Sequence, residues 1–220
     1  MVVDEVTDAD VDAMFRALAD STRRDIVTRV MSEGSGRFAW ATCSTTMNER
    51  IGEVINVTSH TDVEALTLTT TAELSATLER SWQLVSDPRQ LERWWGPPEW
   101  PATFIKYEFE DGGRAHYFMQ GPDGEKIHGW WKFASIVEPQ EVTIEDAFAD
   151  EHGEPSGDLG GTTARRVFEP IGAGTRLTIV SGFESVEQLE EMQKMGMEQG
   201  MREALGQIPS ILDRCATRAS

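Results

Sequence analysis

The sequence predicts an α+β domain, in which an antiparallel sheet of consecutive strands is followed by one long C-terminal helix. Two observations carry this prediction. Between residues 103 and 183, apolar and polar residues alternate in short runs, and turn residues such as glycine, proline and aspartate separate the runs. This alternation is typical of strands with one buried face. Beyond residue 184, the apolar residues recur at intervals of three and four, as on one face of a helix.

The segment before these runs predicts one strand and a pair of helices. Residues 64–71 alternate apolar residues with β-branched threonines, which favours a first strand. The apolar residues from Leu74 to Val85 are then spaced four, four and three apart, and Pro88 ends that helix and begins a shorter one. Residues 94–101 contain three tryptophans and three prolines, and we expect them to form a rigid aromatic loop.

Six further strands are predicted, and the hairpin turns are marked at 111–113 and 171–174. In the first of the six, Ile105, Tyr107 and Phe109 are expected to share one face. The strands are expected over residues 103–110, 114–120, 126–137, 142–148, 162–169 and 175–183.

The long C-terminal helix is expected over residues 184–214. Ser185 can cap its N-terminus, and Gln188 completes a capping box. Gly196 and Gly200 give the apolar face a small centre with methionines beside it. Because glycine costs a helix about 1 kcal/mol relative to alanine, we interpret them as empty space walled by adaptable methionines, or as points where the sheet packs closely. A late proline is expected to kink or end the helix.

Composition and charge limit the classes of partner. The chain has 220 residues, of which 39% are hydrophobic, so it can form a substantial core. Its formal net charge of −18 disfavours binding to nucleic acids and to anionic membranes. Cys43 and Cys215 lack the spacing of a disulfide framework or a thiolate metal site. We therefore expect a soluble cytoplasmic protein without a nucleic-acid or membrane partner, and a homodimer is left open.

The order of the elements from residue 64 to residue 214 resembles that of the SRPBCC superfamily. Its START-like or birch-pollen-allergen-like helix-grip fold wraps a curved antiparallel sheet around a long C-terminal helix. Within it, the chain resembles the branch named for the activator of the ninety-kilodalton heat-shock protein ATPase. The motifs that carry the resemblance are Arg-Trp-Trp-Gly-Pro at 93–97, Asp-Gly-Gly-Arg at 111–114, Gly-Trp-Trp at 129–131, Val-Glu-Pro at 137–139 and Gly-Thr-Arg-Leu-Thr at 174–178.

This resemblance implies an apolar cavity between sheet and helix that holds a small hydrophobic molecule. Such a cavity needs aromatic and methionine side chains, with a few polar atoms to orient the ligand. Each candidate has the alternative of being an ordinary core residue. The candidate ligand-binding residues are Trp95, Tyr107, Phe109, Tyr117, His128, Trp130, Phe148, Met192, Gly196, Met197 and Gly200.

His128 and Asp146 are the candidates for chemistry in the cavity. His128 is expected on the strand face of Trp130, and Asp146 on the face of Phe148. Each could serve as an acid or base, and each has the alternative of facing solvent. The sequence contains no HExxH motif, no cluster of His and Asp at metal-ligand spacing, no phosphate-binding loop and no nucleophile elbow. We therefore expect no metal and no cofactor.

The start of the chain carries a second resemblance. Residues 13–31, with the run MFRALADSTRRDIV from Met14 to Val27, are similar to the opening of ArsR-type winged-helix repressors. Such a repressor also needs a basic recognition helix and a β-wing, and neither is visible in the residues that follow. The predicted organisation is a helical fragment over 1–33, a linker over 34–62 and the cavity domain over 63–215.

These patterns favour a non-catalytic protein that binds a small hydrophobic ligand between sheet and helix. One alternative is a cyclase- or dehydratase-like enzyme that uses the same cavity. The other alternative is an ArsR-related transcriptional regulator or a stress-response, co-chaperone-like protein.

Overall fold

A computed structural model describes residues 56–157 and 160–216, with side chains described as far as residue 213. Its centre is one curved antiparallel sheet of eight strands in the order β1-β2-β8-β7-β6-β5-β4-β3. This architecture confirms the predicted α+β helix-grip fold. The strands are β1 Val57–Asp62, β2 Thr67–Leu74, β3 Ala102–Tyr107, β4 Arg114–Gln120, β5 Lys126–Val137, β6 Glu141–Ala149, β7 Thr162–Ile171 and β8 Gly174–Gly182.

Strand β1 lies inside the segment that the sequence assigned to a linker. Val57–Asp62 pairs with β2 in an antiparallel ladder, so ordered structure begins before the predicted boundary at residue 63. Every second residue of β1 is exposed and the others are only half-buried. An edge strand with this polar composition carries little hydrophobic periodicity, which is why the pattern missed it. The ArsR-like stretch 13–31 lies outside the described residues.

Strand β3 contradicts the prediction that Ile105 shares a face with Tyr107 and Phe109. A β-bulge interrupts its pairing with β4 between Phe104 and Lys106. The extra residue shifts the alternation, so that Phe104 is buried while Ile105 is 58% exposed. Tyr107 still points inward and packs edge-on against Phe104, with 5.1 Å between ring centroids.

Two helices follow β2, namely α1 Leu78–Ser86 and α2 Pro88–Leu91. The hydroxyl of Thr77 accepts a hydrogen bond from the backbone N–H of Arg80 and caps α1. Leu74, which the spacing placed in this helix, instead ends β2. Helix α1 packs Trp82 edge-on against Phe168 of β7, with ring centroids 5.5 Å apart, and thereby covers one end of the sheet.

The C-terminal helical region consists of three helices in succession rather than one uninterrupted helix. They are α3 Val186–Lys194, α4 Met197–Gly206 and α5 Ile208–Ala216. Gly196 separates the first two with a left-handed backbone at φ 87°, a conformation that favours glycine. Pro209 is the second residue of α5, where the missing backbone N–H is not needed.

The main hydrophobic core lies between the sheet and these helices. The C-terminal helices contribute Ala204, Leu205, Ile208 and Ile211 to the same buried cluster as the inner residues of the strands. The same layer also contains a cavity, and several core residues contribute to its lining.

Candidate functional site

The cavity lies between the inner face of strands β4 to β8 and the helices α3 and α4, and its volume is about 150 Å³. Its lining is mostly apolar, and four methionine side chains form a large part of it. The polar side chains in the lining include a buried arginine and an aspartate. The methionines are Met119, Met192, Met197 and Met201.

The structure brings seven of the eleven candidate ligand-binding residues to this cavity. They come from the loop after α2, from β4, β5 and β6, and from the two helices that cover the sheet. Asp146, a candidate for chemistry, lies in the lining as well. The seven are Trp95, Tyr117, His128, Phe148, Met192, Met197 and Gly200.

The other four candidates lie outside the lining. Tyr107 donates a hydrogen bond from its hydroxyl to the carbonyl oxygen of Val85, so it holds α1 against β3. Phe109 packs edge-on against Trp82 and Phe133 in the core.

Backbone geometry keeps Trp130 and Gly196 out of the cavity lining. Trp130 points to the face of β5 opposite Trp131, because successive strand residues alternate and Trp131 is fully buried. Gly196 separates two helices and does not leave empty space in the middle of one.

His128 contributes to the lining, but its imidazole is committed elsewhere. Its Nδ1 lies 2.9 Å from Nε2 of His116, and the two rings share a hydrogen bond. Both lie at positions that alternate with the inward-facing residues of β4 and β5. Burial lowers the pKa of both histidines, and the neighbouring His116 lowers that of His128 further. The pair therefore favours the neutral state.

Asp146 is the acidic group of the cavity. It lies on β6 directly across from Trp131 of β5, on the inner face of the sheet. Burial raises its pKa from 3.8 to about 7, although the positive charge of Arg166 and the indole of Trp131 act in the opposite direction. Asp146 keeps partial solvent exposure, and we assign that exposure to the cavity that it lines. It can therefore gain or lose a proton near neutral pH.

Arg166 is the basic group of the cavity, and it is only 1% exposed. It lies on β7 between Ala164 and Phe168 on the inner face, and it is in register with Val142 on one side and Ile179 on the other. Within the described part of the chain, none of its three side-chain nitrogens has a hydrogen-bond partner. Desolvation lowers its pKa, but an arginine keeps its charge at neutral pH.

Two indole rings support the guanidinium of Arg166. The guanidinium carbon lies 4.4 Å from the ring centroid of Trp131 and 4.8 Å from that of Trp95. The two indoles meet edge-on, with 4.9 Å between their centroids. Such cation–π contacts offset part of the desolvation cost of a buried charge. They leave its N–H groups free to donate hydrogen bonds.

Sequence reasoning did not single out Arg166, although a signal for it exists. Residues 162–169 alternate, and the period of two that places Ala164 and Phe168 inside also places Arg166 inside. An arginine at an inward position of a strand is rare unless it has a partner or a function. Its neighbour Arg165 points outward and pairs with Glu141.

The described part of the chain contains neither a cluster of metal-binding side chains nor a membrane-spanning helix. No group of three or more histidine, cysteine, aspartate or glutamate side chains in residues 56–157 and 160–213 is placed to hold a metal ion. Among the helices described there, none is long and apolar enough to span a lipid bilayer.

Comparison with known proteins gives one family. The family model described as "Activator of Hsp90 ATPase homolog 1-like protein" matches residues 75–213. A search of curated proteins finds no match.

Two solved structures are similar in sequence as well as in fold. A solution structure of a protein from Arthrobacter aurescens is 52% identical, covers 74% of this chain and 93% of its own, and superposes with a TM-score of 0.69. A crystal structure of a protein from Mycobacterium smegmatis is 43% identical, covers 71% of this chain and 97% of its own, and has a TM-score of 0.67. A crystal structure of a Silicibacter pomeroyi protein, at 18% identity and a TM-score of 0.55, shares the fold.

Proposed function

We propose that this chain, which belongs to the family of Activator of Hsp90 ATPase homolog 1-like proteins, binds a small hydrophobic molecule in the cavity between its sheet and its C-terminal helices. The observation that carries the proposal is the cavity itself. It has a volume of about 150 Å³, and its mostly apolar lining includes four methionines and the aromatic residues Trp95, Tyr117 and Phe148. The space between a sheet and the helices packed on it is normally filled by side chains.

The size and lining of the cavity define the ligand that it suits. An apolar cavity of about 150 Å³ can hold a molecule the size of benzene. Methionine side chains are unbranched and polarizable, so they adapt to ligands of different shape. The site therefore suits a compact apolar molecule with one ring or a short aliphatic chain.

Filling the cavity tests this proposal. Gly200 lies in the lining, and in Gly200→Leu the new side chain would occupy the space that a ligand needs. We expect toluene to shift the methyl resonances of the four cavity methionines in the unsubstituted protein but not in this variant. The measurement is a methyl NMR titration of protein labelled at the methionine methyl groups. Met195, which is buried outside the cavity, gives an internal reference.

Gly206→Leu is the matched control for this experiment. Gly206 lies in the same helix, is exposed, and has open space where a side chain would begin. This variant should show the same toluene shifts as the unsubstituted protein. The proposal fails if toluene shifts no cavity methionine, or if Gly200→Leu leaves the shifts in place.

One observation favours a second candidate function, which is proton-transfer catalysis in the same cavity. Asp146 lines the cavity, and its pKa of about 7 suits a general acid or base at neutral pH. The dehydration of a β-hydroxyketone is a reaction that this group could assist. A base removes the proton next to the carbonyl, a double bond forms, and the hydroxyl leaves as water with a returned proton.

The enzymatic candidate is tested with 4-hydroxy-4-methyl-2-pentanone, whose dehydration is followed by the absorbance of the enone. If the protein accelerates the reaction through Asp146, Asp146→Asn should lower the rate by about 10²–10⁴-fold. His128→Ala is the control and should retain the rate, because its imidazole is committed to His116. Equal rates with and without protein would exclude this reaction.

A further inference from the structure

We propose that the ligand of this cavity is a small carboxylic acid with an apolar body, bound as its anion with the carboxylate against the guanidinium of Arg166. This inference rests on the proposed function and names the chemical class of the ligand. It is carried by the unsatisfied hydrogen-bond donors of Arg166 in the lining of a mostly apolar cavity.

The donors are concentrated around Arg166. Among the residues that the structure describes, its Nε and both terminal nitrogens have no hydrogen-bond partner, and its guanidinium lies against the rings of Trp95 and Trp131. Buried polar groups are nearly always hydrogen bonded, so three unpaired nitrogens on one buried guanidinium call for an acceptor that the described residues do not supply. A carboxylate matches the planar fork of a guanidinium and accepts two parallel hydrogen bonds from it.

The charges around the site also favour an anion. The titratable groups in the lining are Asp146 on β6, Arg166 on β7, Tyr117 on β4 and His128 on β5. Burial raises the pKa of Tyr117, so this side chain is uncharged. Burial, and after it the neighbouring His116, lowers the pKa of His128 and favours its neutral form. The helices α3 and α4 contribute methionines, Gln188, Gly200 and Ala204 to the lining, and none of these titrates.

Asp146 determines how the site responds to pH. When Asp146 is ionised, its negative charge compensates that of Arg166 and repels a second carboxylate. When it is protonated, Arg166 is left as the uncompensated charge of the lining. An anionic ligand is therefore bound together with one proton, and its affinity rises as the pH falls through the pKa of Asp146.

The apolar part of the lining determines the size and shape of the ligand's apolar part. The methionines and Phe148 enclose a space that suits a single ring, and a single-ring acid places its apolar part there while its carboxylate reaches Arg166. Phenylacetate has this shape and stays ionised between about pH 6 and pH 8. Phenylacetamide has nearly the same shape without the charge.

Isothermal titration calorimetry with these two probes tests the proposal. At pH 6, phenylacetate should bind at least about tenfold more tightly than phenylacetamide, as expected for a charge-assisted hydrogen bond. At pH 8, its affinity should fall several-fold, whereas that of phenylacetamide should stay the same. Asp146→Asn should bind phenylacetate at pH 8 at least as tightly as the unsubstituted protein does at pH 6.

Two variants of neighbouring residues separate the charge of Arg166 from its packing. Arg166→Met retains an unbranched chain between the indoles and should lose the preference for the anion while it still binds phenylacetamide. Arg165→Met changes the outward arginine and should leave both affinities unchanged. If Arg166→Met does not fold, the same calorimetric test is made with Arg166→Lys and Asp146→Asn, since each of these variants retains a polar side chain at the site.

The outcomes distinguish this inference from the proposed function. Phenylacetamide that binds as tightly as phenylacetate would overturn the assignment of an acid and leave the hydrophobic site in place. If neither probe binds, nor toluene, both proposals fail. If His128→Gln, rather than Asp146→Asn, removes the pH dependence, the proton has been assigned to the wrong group and the proposal fails.

Discussion

Arg165 and Arg166 are adjacent in the chain but lie in opposite environments. Arg165 donates hydrogen bonds of 2.8 and 2.6 Å to the two carboxylate oxygens of Glu141 at the surface. Arg166 lies against two indole rings beneath the helices, and no described residue forms a hydrogen bond with its nitrogens. An exposed ion pair contributes at most about 1 kcal/mol to stability. A buried guanidinium without a hydrogen-bond partner costs stability, and this cost is the reason for proposing a ligand at Arg166.

At the residue scale, Asp146 should make stability depend on pH. Its pKa is higher in the folded protein, at about 7, than the ordinary value of 3.8 that applies when the chain is unfolded. The folded state therefore binds more protons between these values, and the free energy of unfolding falls as the pH rises across this window.

Asp146→Asn should remove that contribution. Compared with the unsubstituted protein, the variant should gain stability progressively from about pH 4 to about pH 7, with no further gain above that window. Urea denaturation at pH 5 and pH 8 measures the difference. A gain that is the same at both pH values would contradict the assignment of a raised pKa to Asp146.

The hydroxyl of Tyr107 gives a second prediction at this scale. It donates a hydrogen bond to the carbonyl oxygen of Val85, the penultimate residue of α1. Tyr107→Phe removes only the hydroxyl, and we expect the free energy of unfolding to fall by about 1 kcal/mol. Because Tyr107 lies outside the cavity lining, toluene should shift the cavity methionines as before. Lost toluene binding in this variant would place Tyr107 in the site after all.

At the scale of elements, the C-terminal helices show which of their features could be predicted from the sequence. The predicted capping box forms in a shifted version, in which the hydroxyl of Ser185 accepts from the N–H of Gln188 and the amide oxygen of Gln188 accepts from the N–H of Glu184. The predicted apolar face of these helices does face the core, where Leu189, Ala204 and Ile208 are buried. The division at Gly196 was not predicted, because intervals of three and four continue across a left-handed residue without any change in pattern.

Gly196 and Gly206 should therefore respond oppositely to alanine. Gly196 has a left-handed backbone that alanine adopts at a cost of about 1 kcal/mol or more. Gly206 is a helical residue with open space around it, so alanine there should stabilise by up to about 1 kcal/mol. Thermal unfolding followed by circular dichroism measures both variants. Equal stabilisation by both would mean that α3 and α4 form one continuous helix.

The sheet shows a similar limit to prediction from sequence. Alternation located β4 and β5 with correct ends, since turn residues mark both ends of each strand. The same rule misassigned Ile105, because a bulge changes the face of a residue without changing the sequence period. The cavity was expected where small and methionine residues face the sheet, but its buried charges depended on pairing partners that only the three-dimensional fold brings together.

At the scale of the whole molecule, net charge argues against the alternative of a DNA-binding regulator. The chain carries 38 acidic and 20 basic residues, and this excess repels a phosphate backbone. We expect no retention of its own upstream DNA in a gel-shift experiment, even at low salt, where electrostatic attraction is strongest. A salt-sensitive shift that is lost when residues 1–55 are deleted would instead support the regulatory alternative.

The methionine lining of the cavity also has a chemical consequence. Met119, Met192, Met197 and Met201 are each partly accessible, and a peroxide small enough to enter would reach their thioether sulfurs. Oxidation to the sulfoxide replaces an adaptable apolar surface with a polar, chiral one. If the cavity holds an apolar ligand as proposed, oxidation of these methionines would weaken its binding, and methionine sulfoxide reductases would reverse the change.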